Sequence, residues 1–389
     1  MRLRPGLRLL PRGDGEVQVG VDPRWATRLT DLTAREAAAL LALPDGAHLS
    51  DLAHDEGIDV SRLARLVDDL DAAGLIDRAP DHVLTGPGAA DTRVLGLLRP
   101  DGRGDLVVAA RSARTVGVHG LDRTGLAVAL GLATSGVGAV VLEDEGVVRS
   151  DDLGAGYRWS DVGTPRLAAA ARAVADAVPS ARVETRLTGH APDVLVLVAG
   201  GALDSGRAAA LVSAAATHLP VVIGEVDVAV GPLVVPGRGP CTRCLDLHRA
   251  DADPAWATVA AALAGAPPAR LAPTGPTSTA AASVATALVV AHLDGLADAG
   301  ASADLPTPGS GIVTSYAIGV DALARERRWA AHPSCGCAAL SAVPGPMPGP
   351  EAGPEPGPEL GPDPGQAAGF LRGRPRPRLV ATTSPETKT

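Results

Sequence analysis

The stretch that most constrains the fold runs from Thr115 to Asp144, with the sequence TVGVHGLDRTGLAVALGLATSGVGAVVLED. It consists of an apolar segment, a glycine turn, a helix-length run, and a second apolar segment that ends in an acid. This order predicts a buried strand, a tight turn, a helix and a second strand. The stretch is therefore expected to be the opening βαβ unit of a Rossmann-type sheet.

The turn of this unit bears on nucleotide binding. Gly120 and Gly125 lie in it, and Asp122 stands where a strict G-x-G-x-x-G pattern has its middle glycine. The following helix would direct its N-terminal amides at a phosphate, and Asp144 stands where an acid accepts a ribose hydroxyl. Two interpretations are open. In the first, these residues form a degenerate nucleotide site. In the second, the unit keeps its fold and binds nothing, because the Asp122 side chain would crowd a phosphate and repel its charge.

Composition excludes some classes of function. The net charge of the 389 residues is -9, which argues against a nucleic-acid binder. No run of signal-peptide character or of membrane-spanning length is found, so we expect a cytoplasmic protein that does not enter a membrane. The only lysine is Lys388, so any cation needed for chemistry in the globular part must be an arginine.

The chain after Asp144 alternates between strand and helix patterns. Asp193–Gly201 is a continuous apolar run, typical of a buried parallel strand. The alternation predicts an α/β fold with a mostly parallel sheet covered by helices on both faces. In the preceding connector, residues 86–112, we expect strands at Leu95–Leu98 and at Val107.

Residues 1–85 are predicted to form a separate, small winged-helix-like α+β module. Two short strands, Leu7–Leu10 and Glu16–Val21, precede three helices, the last of which is Ser61–Ala73. Such modules often bind DNA, but several aspartates on the last helix disfavour contact with phosphates.

A peptide that adds as a strand to an exposed edge suits this module better. We expect it beside one of the two early strands, next to the last helix. Arg62 and Arg65 lie three positions apart on that helix, so they share a face that can meet an acidic peptide. The alternative is a packing module that binds nothing.

Four cysteines form two close pairs, and they are all the cysteines of the chain. Cys241 and Cys244 make a C-x-x-C, and Cys335 and Cys337 make a C-x-C. Thiol pairs from two distant loops are typical of a tetrahedral structural zinc site with no open coordination position. Unrelated thiols, or a redox C-x-x-C, are the alternatives.

The last segment differs from the rest in composition. Residues 341–389 carry proline at every second or third position over much of their length. Such a sequence forms neither helix nor sheet, so a disordered tail is expected. The Rossmann domain and the cysteines would then occupy residues 113–340.

Residues 113–340 resemble the ThiF/MoeB/HesA family, the bacterial relatives of ubiquitin-activating enzymes. The resemblance rests on GLDRTGLAVALGLATSGVGAVVLED, on SDDLGAGYRWSDVGTPR and on the CTRC and CGC pairs. It implies adenylation of a small protein's C-terminus with ATP and magnesium, a four-cysteine zinc, and a homodimer.

Three further features narrow this resemblance to one branch of the family: the N-terminal module and the segments CTRCLDLHRADADPAW and HPSCGC. They look like the ThiF-like proteins of azole- and azoline-modified (TOMM) ribosomal peptide pathways. The narrower resemblance implies that a winged-helix element binds a precursor's leader peptide. It also implies a YcaO-type cyclodehydratase as the partner that receives the peptide.

The departures from the family pattern concern groups that handle phosphate and magnesium. The family's phosphate-binding arginine is missing from Asp151–Gly156, a segment that includes Ala155. Thr164 stands where the family has its phosphate-binding lysine. Ala199–Gly201 stands where the family has its magnesium-binding aspartate. Phosphoryl chemistry depends on such positive groups. Binding of ATP and magnesium is therefore doubtful.

Two functions compete at this point, and no catalytic residue is assigned. The first is a scaffold that binds a leader peptide and has lost adenylation. The second is a working adenylyltransferase in which Arg123, Arg158 or Arg166 replaces the missing cations. A nicotinamide-dependent dehydrogenase is disfavoured, because no catalytic acid–base pair is found beside a second domain.

Overall fold

The computed structural model forms two compact units, one of Leu7–Ile76 and one of Arg2–Gly6 together with the described residues from Asp77 onward. The predicted tail, residues 341–389, lies outside the described residues. The structure describes residues 2–13, 15–44, 47–55, 58–77, 84–99, 101–186, 191–265, 271–296 and 312–337.

The first unit contains a three-stranded antiparallel sheet with the order β2-β3-β4. Val17 and Val19 on the middle strand are fully buried and alternate with partly exposed neighbours, as expected for a strand with one face on a core. The early strands of the chain are β1 (Arg2–Leu3), β2 (Leu9–Gly13), β3 (Glu16–Val19) and β4 (Thr27–Leu29).

Three helices follow this sheet, as predicted. Thr33 and Glu36 form a capping box at the start of the first helix, and Asp59 caps the third. The third helix buries a leucine stripe, Leu63, Leu66 and Leu70, at helical spacing. The elements are α1 (Ala34–Ala42), α2 (Asp51–Asp55), α3 (Val60–Ala72) and the short strand β5 (Ile76–Asp77).

One expectation about this module is wrong. β3 is hydrogen-bonded to β2 on one side and to β4 on the other, so no peptide can add beside Glu16–Val21. The sheet's free edges belong to β2 and β4. The sequence did not predict β4, because its three residues are too few to show an alternating pattern.

The second unit is built on an eight-stranded sheet with the order β13-β12-β11-β10-β9-β6-β7-β8. Five neighbouring strands, β10 through β8 in this order, are parallel, and the remaining three are antiparallel. This confirms the mostly parallel α/β fold. The strands are β6 (Thr115–His119), β7 (Ala139–Glu143), β8 (Arg182–Glu184), β9 (Val194–Gly200), β10 (His218–Ile223), β11 (Val228–Val230), β12 (Ile312–Ile318) and β13 (Ala324–Ala330).

Helices α6, α7 and α11 pack on this sheet around one large apolar core. Among the described residues, α11 alone has the length and composition of a membrane span, and Ala281, Ala285 and Val289 of this helix are buried in that core. The helices are α4 (Asp91–Leu98), α5 (Gly104–Arg111), α6 (Arg123–Thr134), α7 (Arg166–Ala177), α8 (Ser205–Ser213), α9 (Thr242–Ala252), α10 (Trp256–Gly265) and α11 (Gly275–Leu293).

The connector is helical where strands were expected. Leu95–Leu98 lies in α4 and Val107 lies in α5, so both strand predictions are wrong. A side chain at Gly104 would place its Cβ 2.1 Å from the Thr92 carbonyl oxygen, so α4 and α5 are in direct backbone contact at this point. Short apolar runs suit either element, and this close packing favours the helices.

A buried ion pair joins these helices to the end of α11. The Arg111 guanidinium, 1% exposed, donates to both carboxylate oxygens of Asp294 at 2.6 and 2.9 Å, and Asp294 is equally buried. It also donates to Asp91 at 2.6 Å and to the Ser135 carbonyl at 2.5 Å. Its charge is therefore fully compensated inside the protein.

We predict that Arg111→Ala lowers the free energy of unfolding by about 3–5 kcal/mol, because it leaves the Asp294 carboxylate buried without a counter-ion. Urea unfolding followed by circular dichroism measures this change. Arg158→Ala is the matched control. Its pair with Asp176 is exposed, so the expected loss is about 0–1 kcal/mol. Equal losses in the two variants would contradict the prediction.

Candidate functional site

The turn between β6 and α6 is shaped by close backbone contacts. Gly120 has φ +85°, and a Cβ there would lie 2.3 Å from the carbonyl oxygen of Val198. A Cβ on Gly125 would lie 1.8 Å from the carbonyl oxygen of Gly120. Both glycines are therefore required for the strand and helix to meet, whether or not a ligand binds.

Asp122 caps the helix that would otherwise face a phosphate. Its carboxylate accepts hydrogen bonds from the backbone N–H of Thr124 at 2.8 Å and of Gly125 at 3.0 Å. Burial raises the pKa of Asp122 to about 6, against the opposing effects of the Gly125 amide and of Arg166. The chain's own carboxylate thus occupies amides that an anionic ligand would need.

Asp144 holds the same turn from the second strand. One carboxylate oxygen accepts from the Leu121 N–H and the other from the Gly146 N–H, each at 2.6 Å. The buried hydroxyl of Tyr157 donates to the Leu121 carbonyl, also at 2.6 Å. The backbone N–H and the carbonyl of Leu121 are therefore both hydrogen-bonded within the protein. Sequence reasoning missed Tyr157, because its partner lies 36 positions away.

The three arginines considered as replacements differ in their partners. Arg166 donates to both oxygens of Asp152 at 2.7 and 2.9 Å, and Arg158 pairs with Asp176 at 2.9 Å. Among the described residues, Arg123 has no carboxylate partner, and its buried Nε has no hydrogen-bond acceptor. Only Arg123 is therefore free to meet an external anion.

The charge around the turn is negative. Arg166 lies 3.8 Å from Asp144 in addition to its pair with Asp152, and Asp122 is close enough for its pKa to respond to Arg166. The carboxylates of Asp122, Asp144 and Asp152 at this turn thus outnumber the guanidiniums of Arg166 and Arg123. Such a site repels a polyphosphate chain.

The other substituted positions supply no charge. The Thr164 hydroxyl donates to the Asp161 carbonyl at 2.6 Å inside a turn. Ala155 lies in the left-handed region with φ +48°. Gly200 ends β9, and the next amide, Gly201, donates to the Ile223 carbonyl.

The four cysteines meet in one buried cluster. The Cys241 and Cys335 sulfurs are 3.7 Å apart, and those of Cys244 and Cys337 are 3.3 Å apart. All four sulfurs lie within 4.8 Å of one another. Zinc–sulfur bonds of about 2.3 Å place tetrahedral sulfurs about 3.8 Å apart, so the cluster suits a tetrahedral metal.

This cluster joins two distant segments, as the sequence indicated. Cys241 precedes α9, and Cys335 follows β13, whose Trp329 packs in the same apolar cluster. Burial raises the pKa of the Cys241 and Cys337 thiols, whereas hydrogen bonds from the Cys337 backbone and the neighbouring thiols lower the pKa of Cys335 against the effect of burial. A bound cation would stabilise all four as thiolates.

A second group, His248, Asp251 and His332, also brings ligand atoms within 4.8 Å. The backbone N–H of Ser334 donates to Nδ1 of His332, so in neutral His332 the proton is on Nε2. That Nε2 donates to Asp251 at 2.9 Å. The observed hydrogen bonds therefore favour an internal network over a metal site.

In the N-terminal module the two predicted arginines behave differently. The Arg62 guanidinium pairs with Glu36 at 3.2 Å and donates to the Asp31 carbonyl at 2.6 Å, two residues beyond β4. Arg65 is exposed and forms no ion pair with the described residues. Arg62 therefore joins α3 to the end of β4, and Arg65 is accessible to a partner.

Fold and site together define a ThiF-type α/β protein in which the turn between β6 and α6, Gly120–Asp122, is hydrogen-bonded internally; this turn, where a Rossmann unit has its nucleotide loop, is called the nucleotide turn below. The ThiF family model matches residues 103–307, and the chain belongs to this family. No curated protein gives a significant match.

Solved structures share this fold at low sequence identity. The microcin C7 biosynthetic enzyme MccB in complex with N-formylated MccA is 16% identical with a TM-score of 0.58, covering 87% of this chain and 99% of that one. Escherichia coli MccB with ATP is 16% identical with a TM-score of 0.58, covering 86% and 98%. PaaA is 17% identical with a TM-score of 0.59, covering 83% and 98%.

Proposed function

We propose that this chain is a ThiF-family scaffold in a ribosomal peptide pathway. It binds the leader of a precursor peptide, presents it to a YcaO-type cyclodehydratase, and does not adenylate. The observation that carries the proposal is the internal bonding of the nucleotide turn by Asp122, Asp144 and Tyr157. A peptide partner is supported by the structural neighbour MccB, whose structure was solved in complex with N-formylated MccA. A cytoplasmic homodimer is part of the same proposal.

The leader would add as a strand to the free edge of β4, antiparallel or parallel to Thr27–Leu29. Arg62 holds α3 against the residues that follow β4, so the edge and the helix together would form a groove. Arg28 on β4 and Arg65 on α3 are both exposed. Backbone pairing would supply affinity, and these two charges would select an acidic leader.

The cysteine cluster would hold one structural zinc ion. Its four ligands leave no coordination position for a substrate, so the role of the metal would be structural. It would hold α9 and the segment after β13 together. It would take no part in chemistry.

The competing function is an active adenylyltransferase that activates the C-terminus of a peptide or small protein with ATP. Two observations favour it: the neighbour MccB has been solved with ATP, and Arg123 has no internal ion-pair partner among the described residues. Against it stand Asp122, Asp144 and Asp152, whose three carboxylates lie at the turn between β6 and α6.

We predict that the purified protein contains about one zinc per chain by elemental analysis. Cys244→Ser should lose the metal and lower the melting temperature, because metal-binding energy is folding energy at such a site. Ser334→Ala, outside the ligand set, is the control and should keep the zinc. A folded, metal-free protein would rule the site out.

Calorimetry with ATP should show weak or absent binding that does not depend on magnesium, and ATP–pyrophosphate exchange should be absent. The reason is the occupied amides and the acidic surroundings of the turn. The exchange assay should be repeated with a candidate precursor peptide present. Robust exchange at ordinary ATP concentrations would reject the scaffold and support the enzyme.

Reversing one exposed charge tests the leader groove in the whole chain. Arg65→Glu should weaken binding of an acidic leader about tenfold, or about 1.4 kcal/mol, measured by fluorescence anisotropy. Arg8→Glu makes the same charge change next to β2, the other edge strand, and should bind normally. If Arg65→Glu and Arg8→Glu bind the leader with the same affinity, whether normal or reduced, the assignment to β4 is contradicted.

A further inference from the structure

The sequence contains an acidic repeat that neither the fold nor the proposed function uses. Residues 349–364 are four consecutive copies of Gly-Pro-acid-x, with the acids Glu351, Glu355, Glu359 and Asp363. No basic residue lies between Cys337, the last described residue, and Arg372. The repeat therefore places four negative charges on a segment whose glycines and prolines favour an extended chain.

The last strand before this repeat, β13, is an edge strand with an excess of arginine. It begins the strand order of the eight-stranded sheet and pairs with β12 alone among the described residues. Three of its seven residues are arginines, and Glu326 is its one acid. An edge strand presents unpaired backbone groups, which proteins protect with charged side chains or with a covering segment.

One face of β13 carries exposed arginines beside a buried tryptophan. Side chains alternate along a strand, so Arg325 and Arg327 share the face of Trp329. The Arg327 guanidinium lies over the Trp329 ring, 4.2 Å from its centroid, and the Arg249 guanidinium of α9 lies 5.7 Å from the same centroid. Arg249, Arg325 and Arg327 are called the arginine face below.

The charge of the arginine face is only weakly compensated by the folded protein. Arg327 is exposed and, within the described part of the chain, forms no ion pair. Arg325 pairs with Asp321 in an exposed contact, and Arg249 pairs with Asp246 at 3.2 Å in a half-exposed one. Ion pairs open to solvent are weak, so an incoming carboxylate can exchange with either aspartate.

We propose that the acidic repeat, residues 349–364, binds the arginine face of its own chain and covers the free edge of β13. Glu351 lies 14 positions after Cys337, which packs in the same cluster as Trp329. An extended chain of that length spans about 40 Å, and β13 spans about 23 Å, so the repeat can reach the whole strand.

Carboxylate–guanidinium contacts would carry this binding, because proline has no N–H to donate to a strand edge. The bound repeat would deny the edge of β13 to a second copy of the chain or to another acidic peptide. The contact is independent of leader binding and of adenylation.

Cleavage of the full-length protein by a glutamate-specific protease tests this contact. Two cleavable bonds, Glu351–Ala352 and Glu359–Leu360, lie in the repeat, and mass spectrometry gives the rate at each. The reference is a free peptide of residues 341–389, which also contains the tail's own arginines. We expect about tenfold slower cleavage in the protein, because an effective concentration in the millimolar range largely occupies a contact with a Kd of about 0.1 mM. High salt should bring the two rates together.

Arg325→Gln combined with Arg327→Gln should abolish the protection. Arg182→Gln removes an exposed arginine from β8, the opposite edge of the same sheet, and should retain it. Glu355→Gln combined with Asp363→Gln halves the charge of the repeat and should weaken the protection. This pair changes no residue of β13 or α9, so it decides the question if the arginine variant does not fold. Equal rates in protein and peptide, undiminished protection in a folded double variant, or equal loss in Arg182→Gln would each overturn the proposal.

Discussion

The fold of the second unit depends on backbone contact at the end of β6. The carbonyl oxygen of Val198 on β9 would be 2.3 Å from a Cβ on Gly120, and that of Gly120 would be 1.8 Å from a Cβ on Gly125. Glycine at these two positions is thus a condition for packing α6 on the sheet. The requirement is steric and holds without a nucleotide, so the Rossmann turn can persist after its ligand contacts are gone.

The same turn shows how a helix N-terminus is stabilised without a ligand. Its free amides need an acceptor, which a bound phosphate supplies in a nucleotide site. Here Asp122 supplies it, and Asp144 and Tyr157 bond the N–H and carbonyl of Leu121. A turn satisfied in this way is formed before any ligand arrives. A ligand phosphate would have to displace a carboxylate and then approach Asp152, and both steps oppose binding.

Local sequence signals predicted the elements whose determinants are close in the chain. The Thr33–Glu36 capping box, the stripe from Leu63 to Leu70 and the two cysteine pairs each lie within a few positions, and the structure contains all of them. The helices α4 and α5 were mistaken for strands, since their helical form depends on packing through Gly104. The ion pair of Arg62 could not be predicted from the sequence, because its partner Glu36 lies 26 positions away.

The arginines of the two units differ in whether they already pair with a carboxylate. Around the nucleotide turn, Arg166 is bonded to Asp152 and adjoins Asp144. Arg65 in the first unit and Arg123 in the second have no such partner among the described residues. An unpaired arginine at a helix start lowers stability in the absence of an anion. Internal hydrogen bonds and ion pairs therefore account for the placement of Asp122, Asp144 and Arg166, whereas Arg123 makes no ion pair with the described residues.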